Sequence, residues 1–289
     1  MSDNSAASPR VGRIPYINCY PVYGGIDRGI VPLRGVLING VPTALNRMMA
    51  EGTLDVSVVS AVEYARDAKR YLLLPELAIT SDGPVRSVML FSRVDPSTLG
   101  GKRVVVSRSS MTSVALLELL FDHVWRCRPE FVLGDAEMDD IARFDDARHD
   151  ARLVIGDAAL RLFDEANRGG QWAARYPHRV DLGAAWKEWT GLPFVFAVWV
   201  AQRTTPVHDA LAAHASLIAS RDWGLQHLDT LAAQAAQASG VPKATCAEYL
   251  AGLDYRLSYP QLAGLTEFFR RLVLAGRVPD GSLAFLPAA

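Results

Sequence analysis

The chain lacks the marks of a metal, disulfide or membrane protein. Three cysteines, Cys19, Cys127 and Cys246, stand far apart in 289 residues, with no CxxC and no histidine pair at metal-ligand spacing. They read as free thiols in a reducing compartment. No apolar run reaches the ~20 residues that a membrane-spanning helix needs. Positive charge is not in excess: 30 Lys and Arg face 31 Asp and Glu, a formal charge of −1. That argues against a nucleic-acid surface. The start, MSDNSAASPR, has no apolar core of a signal peptide. Residues 1–9 are expected to form a disordered tail and the protein to be cytoplasmic. No Gly-rich nucleotide fingerprint is present.

What is present is an ordinary globular composition, 50% apolar and 21% charged, long enough for one large domain or two lobes. The chain centres on Val104 to Phe121, VVVSRSSMTSVALLELLF. A β-branched run reads as a buried strand, a Ser/Thr-rich turn follows, and from Ser113 the spacing predicts a helix. Free N–H groups and hydroxyls at the positive end of a helix dipole suit an anion, carboxylates included. The plainer reading is that Ser109, Ser110, Thr112 and Ser113 only cap the helix.

The same plan recurs along the chain. Val11 to Ile14 reads as a first strand, running into a segment bracketed by Pro15 and Pro21 and expected to be extended or turned. Asn18 there is either a ligand contact or a turn residue. A strand at 36–38, a helix opened by Pro42 and a strand at 54–59 imply a parallel sheet. Ser60 at the end of that third strand is a ligand contact or an N-cap, the cap being the simpler reading. Tyr71 to Pro75 is a strand candidate. Val85 to Arg93 reads as a long strand buried on both faces. Leu153 to Asp157 repeats the strand-then-polar-end pattern. Gly156 there permits close approach of a ligand, and Asp157 accepts hydrogen bonds or caps a helix over 158–163. Phe194 to Val200 reads as a second long apolar strand. Beyond Arg203 the pattern is helical, with Gly276 as a C-cap. Crossings near 93–101 and 191–201 would divide the chain into a lobe of residues 10–94 plus 201–289 and a lobe of 95–200. That is the plan of an α/β, two-lobe, periplasmic-binding-protein-like fold with two crossover strands and a ligand cleft between the lobes.

The segments GRIPYIN (12–18), NGVPTALNRMMAEGTLDVSVVSAVEYA (39–65), YLLLPELAITSDGPVRSVMLFS (71–92), SSMTSVALLELL (109–120), LVIGDAAL (153–160) and DLGAAWKEWTGLPFVFAVWV (181–200) together resemble the chorismate dehydratases of the futalosine route to menaquinone. The resemblance implies the two-lobe type 2 periplasmic-binding-protein-like fold, and a hydro-lyase that removes water from chorismate to give 3-[(1-carboxyvinyl)oxy]benzoate. It implies catalytic roles for Asn18, in the Y-x-N segment, and Ser87, in the GPVxSV segment. Tyr16, Ser60, Ser109, Ser110, Met111, Thr112, Ser113, Gly156 and Asp157 are expected to bind the substrate. Neither Asn18 nor Ser87 is a ready base, which leaves a substrate carboxylate as an alternative proton acceptor. Aromatisation drives the reaction, so no cofactor and no metal are expected. The expected partner is the small molecule alone, with no nucleic acid and no membrane, and the protein is expected to be a monomer or homodimer. All six histidines lie outside the matching segments. Pro15 departs from the family, where a small hydroxyl residue is expected, and bears on the shape of that loop. The alternative function is a non-catalytic cytoplasmic binding protein for a small aromatic or cyclic carboxylate. A ligand-binding half of a transcription regulator lacks its helix-turn-helix segment and basic face.

Overall fold

A computed structural model describes residues 8–107, 110–134 and 149–287. Residues 1–7 of the expected tail lie outside them. The chain begins with strand β1 (Arg10–Arg13), helix α1 (Tyr20–Asp27), strand β2 (Val36–Asn39), helix α2 (Pro42–Ala50), strand β3 (Val56–Ser60), helix α3 (Ala61–Arg66) and strand β4 (Tyr71–Ser81). β1 lies between β2 and β3 and runs parallel to both. Pro42 sits in the first turn of α2, where its missing N–H has no partner to lose. The same rule overturns the expectation for residues 15–21. Ile17–Cys19 form a 3-10 turn, and α1 opens at Tyr20 with Pro21 in its first turn. A proline with φ near −65° suits a helix start as well as an extended bracket.

The chain then enters a second sheet. Its elements are β5 (Val88–Ser92), β6 (Arg103–Ser107), α4 (Met111–Leu120), β7 (Glu130–Gly134), β8 (Ala151–Ile155), α5 (Gly156–Asn167), α6 (Gln171–Arg175), β9 (His178–Asp181) and α7 (Leu182–Thr190). β10 (Phe194–Gln202) returns to the first sheet and runs antiparallel between β3 and β4. Helices α8 (Val207–Gln226), α9 (Leu228–Ser239), α10 (Lys243–Gly252) and α11 (Tyr259–Leu274) follow.

The two sheets share one strand order. The first is β2-β1-β3-β10-β4 and the second β7-β6-β8-β5-β9. In each, three parallel strands are followed by one antiparallel strand donated across the chain and then by a last strand. The donated strands, β5 and β10, are the apolar runs without alternation, and all five residues of β5 are buried. The strands change sheet over residues 82–87 and again between Asp181 and Phe194. The sequence reading had set these crossings at 93–101 and 191–201. The run from Val85 is strand only from Val88, because Arg86 takes φ +61° and turns the chain before the ladder begins. One apolar core reaches from β1 and β3 through β10 to α4, β6 and α11. Near the second crossing, Trp186 of α7 meets Phe194 edge-on at 5.2 Å and Phe268 of α11 at 6.0 Å. Cys19 and Cys246 are buried free thiols, and Cys127 is a partly exposed one.

Candidate active site

Parallel strands present their carboxyl ends, and the helix N-termini that follow, to one side of a sheet. Here the two sheets turn those ends toward each other. The loop after β1, the end of β3, the turn after β6 and the start of α5 after β8 all line one cavity of about 70 Å³. Its polar lining is Tyr16, Asn18, Ser60, Ser87, Ser110 and Ser113, with Gly156 on the rim. Ile14, Ile79, Val85, Val88, Ile155 and Phe196 supply the apolar walls. Among the described residues, no carboxylate, imidazole, amine or guanidinium lines it.

Asn18 sits in the 3-10 turn after β1. Its Oδ1 is buried and has no hydrogen-bond partner. An unmet buried acceptor costs about 1–3 kcal/mol, so this atom is poised for a ligand donor. The turn is tied across the cleft: the Ile17 N–H donates to Asp157 Oδ1 at 3.2 Å. Asp157 thus braces the Asn18 turn and is not among the residues that line this cavity.

Ser87 is buried at the first crossing, and its environment is fully determined. Its carbonyl accepts the Gly156 N–H at 2.8 Å, and its Oγ accepts the Tyr249 O–H at 2.8 Å. The preceding residues are pinned by Asp181, whose carboxylate accepts the Val85 N–H at 3.0 Å and the Arg86 N–H at 2.6 Å. The same carboxylate caps α7 through the N–H groups of Gly183 and Ala184. Burial raises the Asp181 pKa, and these four donors work against that rise.

Gly156 takes φ +64°, and a Cβ there would meet the Tyr16 ring at 3.5 Å. The Tyr16 ring therefore packs on the start of α5, as close approach at a glycine predicts. Ser110 is the N-cap of α4: its Oγ accepts the Ser113 N–H at 3.3 Å and its hydroxyl donates to Ser113 Oγ at 2.8 Å. Both serines line the cavity, and Ser110 also caps the helix.

The other expected contacts resolve differently. Ser60 is no side-chain cap of α3. Its N–H donates to Asn46 Oδ1 at 3.2 Å and its Oγ accepts from Asn46 Nδ2 at 3.2 Å, so Asn46 orients it at the cavity. Thr112 is buried away from the cavity, where its Oγ1 accepts the Val62 N–H at 3.2 Å. It therefore supports the start of α3 from the opposite sheet. Met111 faces the Asn46 side chain, with Asn46 Nδ2 at 3.2 Å from its sulfur, and lies outside the cavity lining. Ser109 lies outside the described residues. Asn46 and Tyr249 were absent from the sequence reading. Asn46 had one signal, a polar residue in the buried row of α2 beside Leu45 and Met49; Tyr249 had none.

Solved structures place this architecture in a known class. A protein of Archaeoglobus fulgidus superposes with a TM-score of 0.78 over 95% of this chain and 100% of its own, at 19% identity. The MOPS-bound alkanesulfonate-binding protein SsuA of Xanthomonas axonopodis pv. citri superposes with a TM-score of 0.68 over 96% and 98%, at 14% identity. At such identities the likeness concerns the fold alone, which is the two-lobe, periplasmic-binding-protein-like α/β fold. Sequence similarity narrows the class. Residues 9–273 match the family described as menaquinone biosynthesis. The chorismate dehydratase of Thermus thermophilus is 30% identical over 273 residues, 90% of this chain and 96% of its own. That of Campylobacter jejuni is 30% identical over 191 residues, 64% of each chain. The chain belongs to the menaquinone-biosynthesis family.

Proposed function

We propose that this protein is a cytoplasmic hydro-lyase that converts chorismate to 3-[(1-carboxyvinyl)oxy]benzoate and water, within the futalosine route. The observation that carries the reading is the meeting of Asn18, with its unpartnered buried Oδ1, and Ser87 in one cavity whose further wall is the first turn of α4. The two come from segments far apart in the chain, and both are positions that the family resemblance marks as catalytic.

The chemistry suits this cavity. Removal of the C3 proton pushes negative charge through the ring diene onto the ring carboxylate, the C4 hydroxyl leaves and takes up that proton as water, and the ring becomes aromatic. Neutral donors fixed around the ring carboxylate stabilise charge that grows as the proton departs. Ser87, Ser113, the Asn18 amide and the α4 N-terminus are such donors, and Ser110, whose own proton goes to Ser113 Oγ, holds Ser113 in place. The described lining offers no ordinary base, which supports the carboxylate of the substrate's enolpyruvyl arm as proton acceptor. The protein then orients that carboxylate and keeps water away from it. We take the two sheets as two lobes that close on the ligand about residues 82–87 and the segment before β10.

The test is to incubate the purified protein with chorismate and follow the aromatic product by absorbance and mass. Binding of chorismate with no product formed would establish the alternative, a carboxylate-binding protein.

A further inference from the structure

We propose that Tyr249, on the C-terminal helix α10, is a positioning residue that makes the Ser87 hydroxyl a one-way hydrogen-bond donor into the cavity. The proposal deepens the dehydratase reading and rests on it.

A serine hydroxyl carries one proton and two lone pairs and rotates to suit its surroundings. Free to rotate, it serves as donor and acceptor by turns, and a donor that must be reoriented during the reaction contributes less than one already aimed. At Ser87 the rotation is restricted. The Tyr249 O–H donates to Ser87 Oγ at 2.8 Å within a buried contact. With that lone pair occupied, the serine proton must point elsewhere, and the side chain lines the cavity. Burial raises the Tyr249 pKa, so the hydroxyl that donates to Ser87 keeps its proton throughout the working pH range.

The backbone beneath the hydroxyl is fixed as firmly. Arg86 is held at φ +61°, a conformation unfavourable for a long side chain. Asp181 holds it there by accepting the N–H groups of Val85 and Arg86, and the Ser87 carbonyl accepts the Gly156 N–H. The torsion about the Ser87 Cβ–Oγ bond is the freedom that remains, and Tyr249 narrows it by closing one of its staggered positions to the proton. The coupling spans 162 residues of sequence and ties a helix of the C-terminal region to the crossing between the sheets.

The experiment is a double-mutant cycle of Tyr249→Phe and Ser87→Ala, read as kcat and KM for chorismate, with folding followed by circular dichroism. Tyr249→Phe removes one oxygen and keeps the ring. It should lower kcat about tenfold and leave KM within about twofold, the signature of a lost hydrogen bond that matters in the transition state. In the Ser87→Ala background the same change should alter kcat by less than about twofold. Wild-type kcat in Tyr249→Phe, or an equal loss in both backgrounds, overturns the proposal, since a packing defect would act independently of Ser87. Should the Phe variant fail to fold, 3-fluorotyrosine at position 249 keeps the shape and strengthens the donor. Then kcat must hold or rise, and a fall overturns the proposal. A wild-type protein that forms no aromatic product overturns the dehydratase reading and this proposal with it. An active wild type with an unaffected variant overturns this proposal alone.

Discussion

Asn18 and Ser87 meet the same cavity with different degrees of preparation. Asn18 arrives with an unmatched acceptor, and Ser87 arrives with its Oγ already accepting from Tyr249 and its carbonyl from Gly156. Replacing Asn18 with Ala should leave folding intact, or slightly improve it by deleting a buried unmet atom, and lower kcat by about 10²–10³. Single-turnover kinetics on chorismate checks this, and wild-type turnover in a folded variant would reduce Asn18 to a turn residue. The turn before α4 divides in the same way. Thr112→Ala strips the Val62 N–H of its partner, so the melting temperature should fall while product affinity holds. Ser113→Ala removes a cavity hydroxyl and should weaken product binding by ~1–3 kcal/mol. Calorimetric titration beside thermal melts separates the two, and an affinity loss at Thr112 equal to that at Ser113 would contradict the assignment.

At the scale of elements, the packing of α11 against the second crossing is unusually close. A Cβ at Gly264 would lie 2.0 Å from the Pro193 carbonyl oxygen, whereas one at Gly252 in α10 would meet nothing. Gly264→Ala must therefore push the helix off the crossing and lower the melting temperature, while Gly252→Ala should be neutral or mildly stabilising by helix propensity. Equal melts for the two variants would show that the crossing yields freely. The strands and their order of appearance were legible in the sequence, because runs such as VSVVS and RVVVS are β-branched and bounded by turns. The prolines were ambiguous: Pro42 and Pro21 both open helices, and only the clear helix period after Pro42 revealed it. What sequence could not deliver were partners joined by folding alone. Asn46 reaches Ser60 across a strand–helix contact, and Tyr249 reaches Ser87 from the far end of the chain. Local patterning carries no trace of such pairs. The first crossing lies earlier than expected for a related reason, since the left-handed Arg86 that delays the start of β5 is held by Asp181, remote in sequence.

For the whole molecule the size of the cavity matters most. At about 70 Å³ it is less than half the ~150 Å³ that accommodates benzene in an engineered core, and a ten-carbon dianion needs more. Entry therefore requires the sheets to part. Ties between them break when this happens, among them Ile17 to Asp157, Val62 to Thr112 and the Arg277 ion pairs to Glu118 and Asp122. Free protein should therefore populate parted sheets as well, and saturating product should compact it in small-angle scattering through population shift toward an arrangement closed around the ligand. An unchanged profile would count against closure about the crossings. Exhaustive dialysis against a chelator should leave turnover intact, and a loss restored by a divalent ion would sink the neutral-donor mechanism.

A site walled by neutral side chains has a consequence for acidity. Most lyases that abstract a carbon-bound proton lose activity when their own base is protonated, and their rate profiles bend at that group. On the proposed mechanism the acceptor enters with the substrate, and the serine hydroxyls around it do not ionise in the ordinary range. Saturated turnover should then be level from about pH 6 to pH 9, with an acid limb set by the carboxylates of chorismate and not by any residue of the chain. The titration curve of the reaction would belong to its reactant.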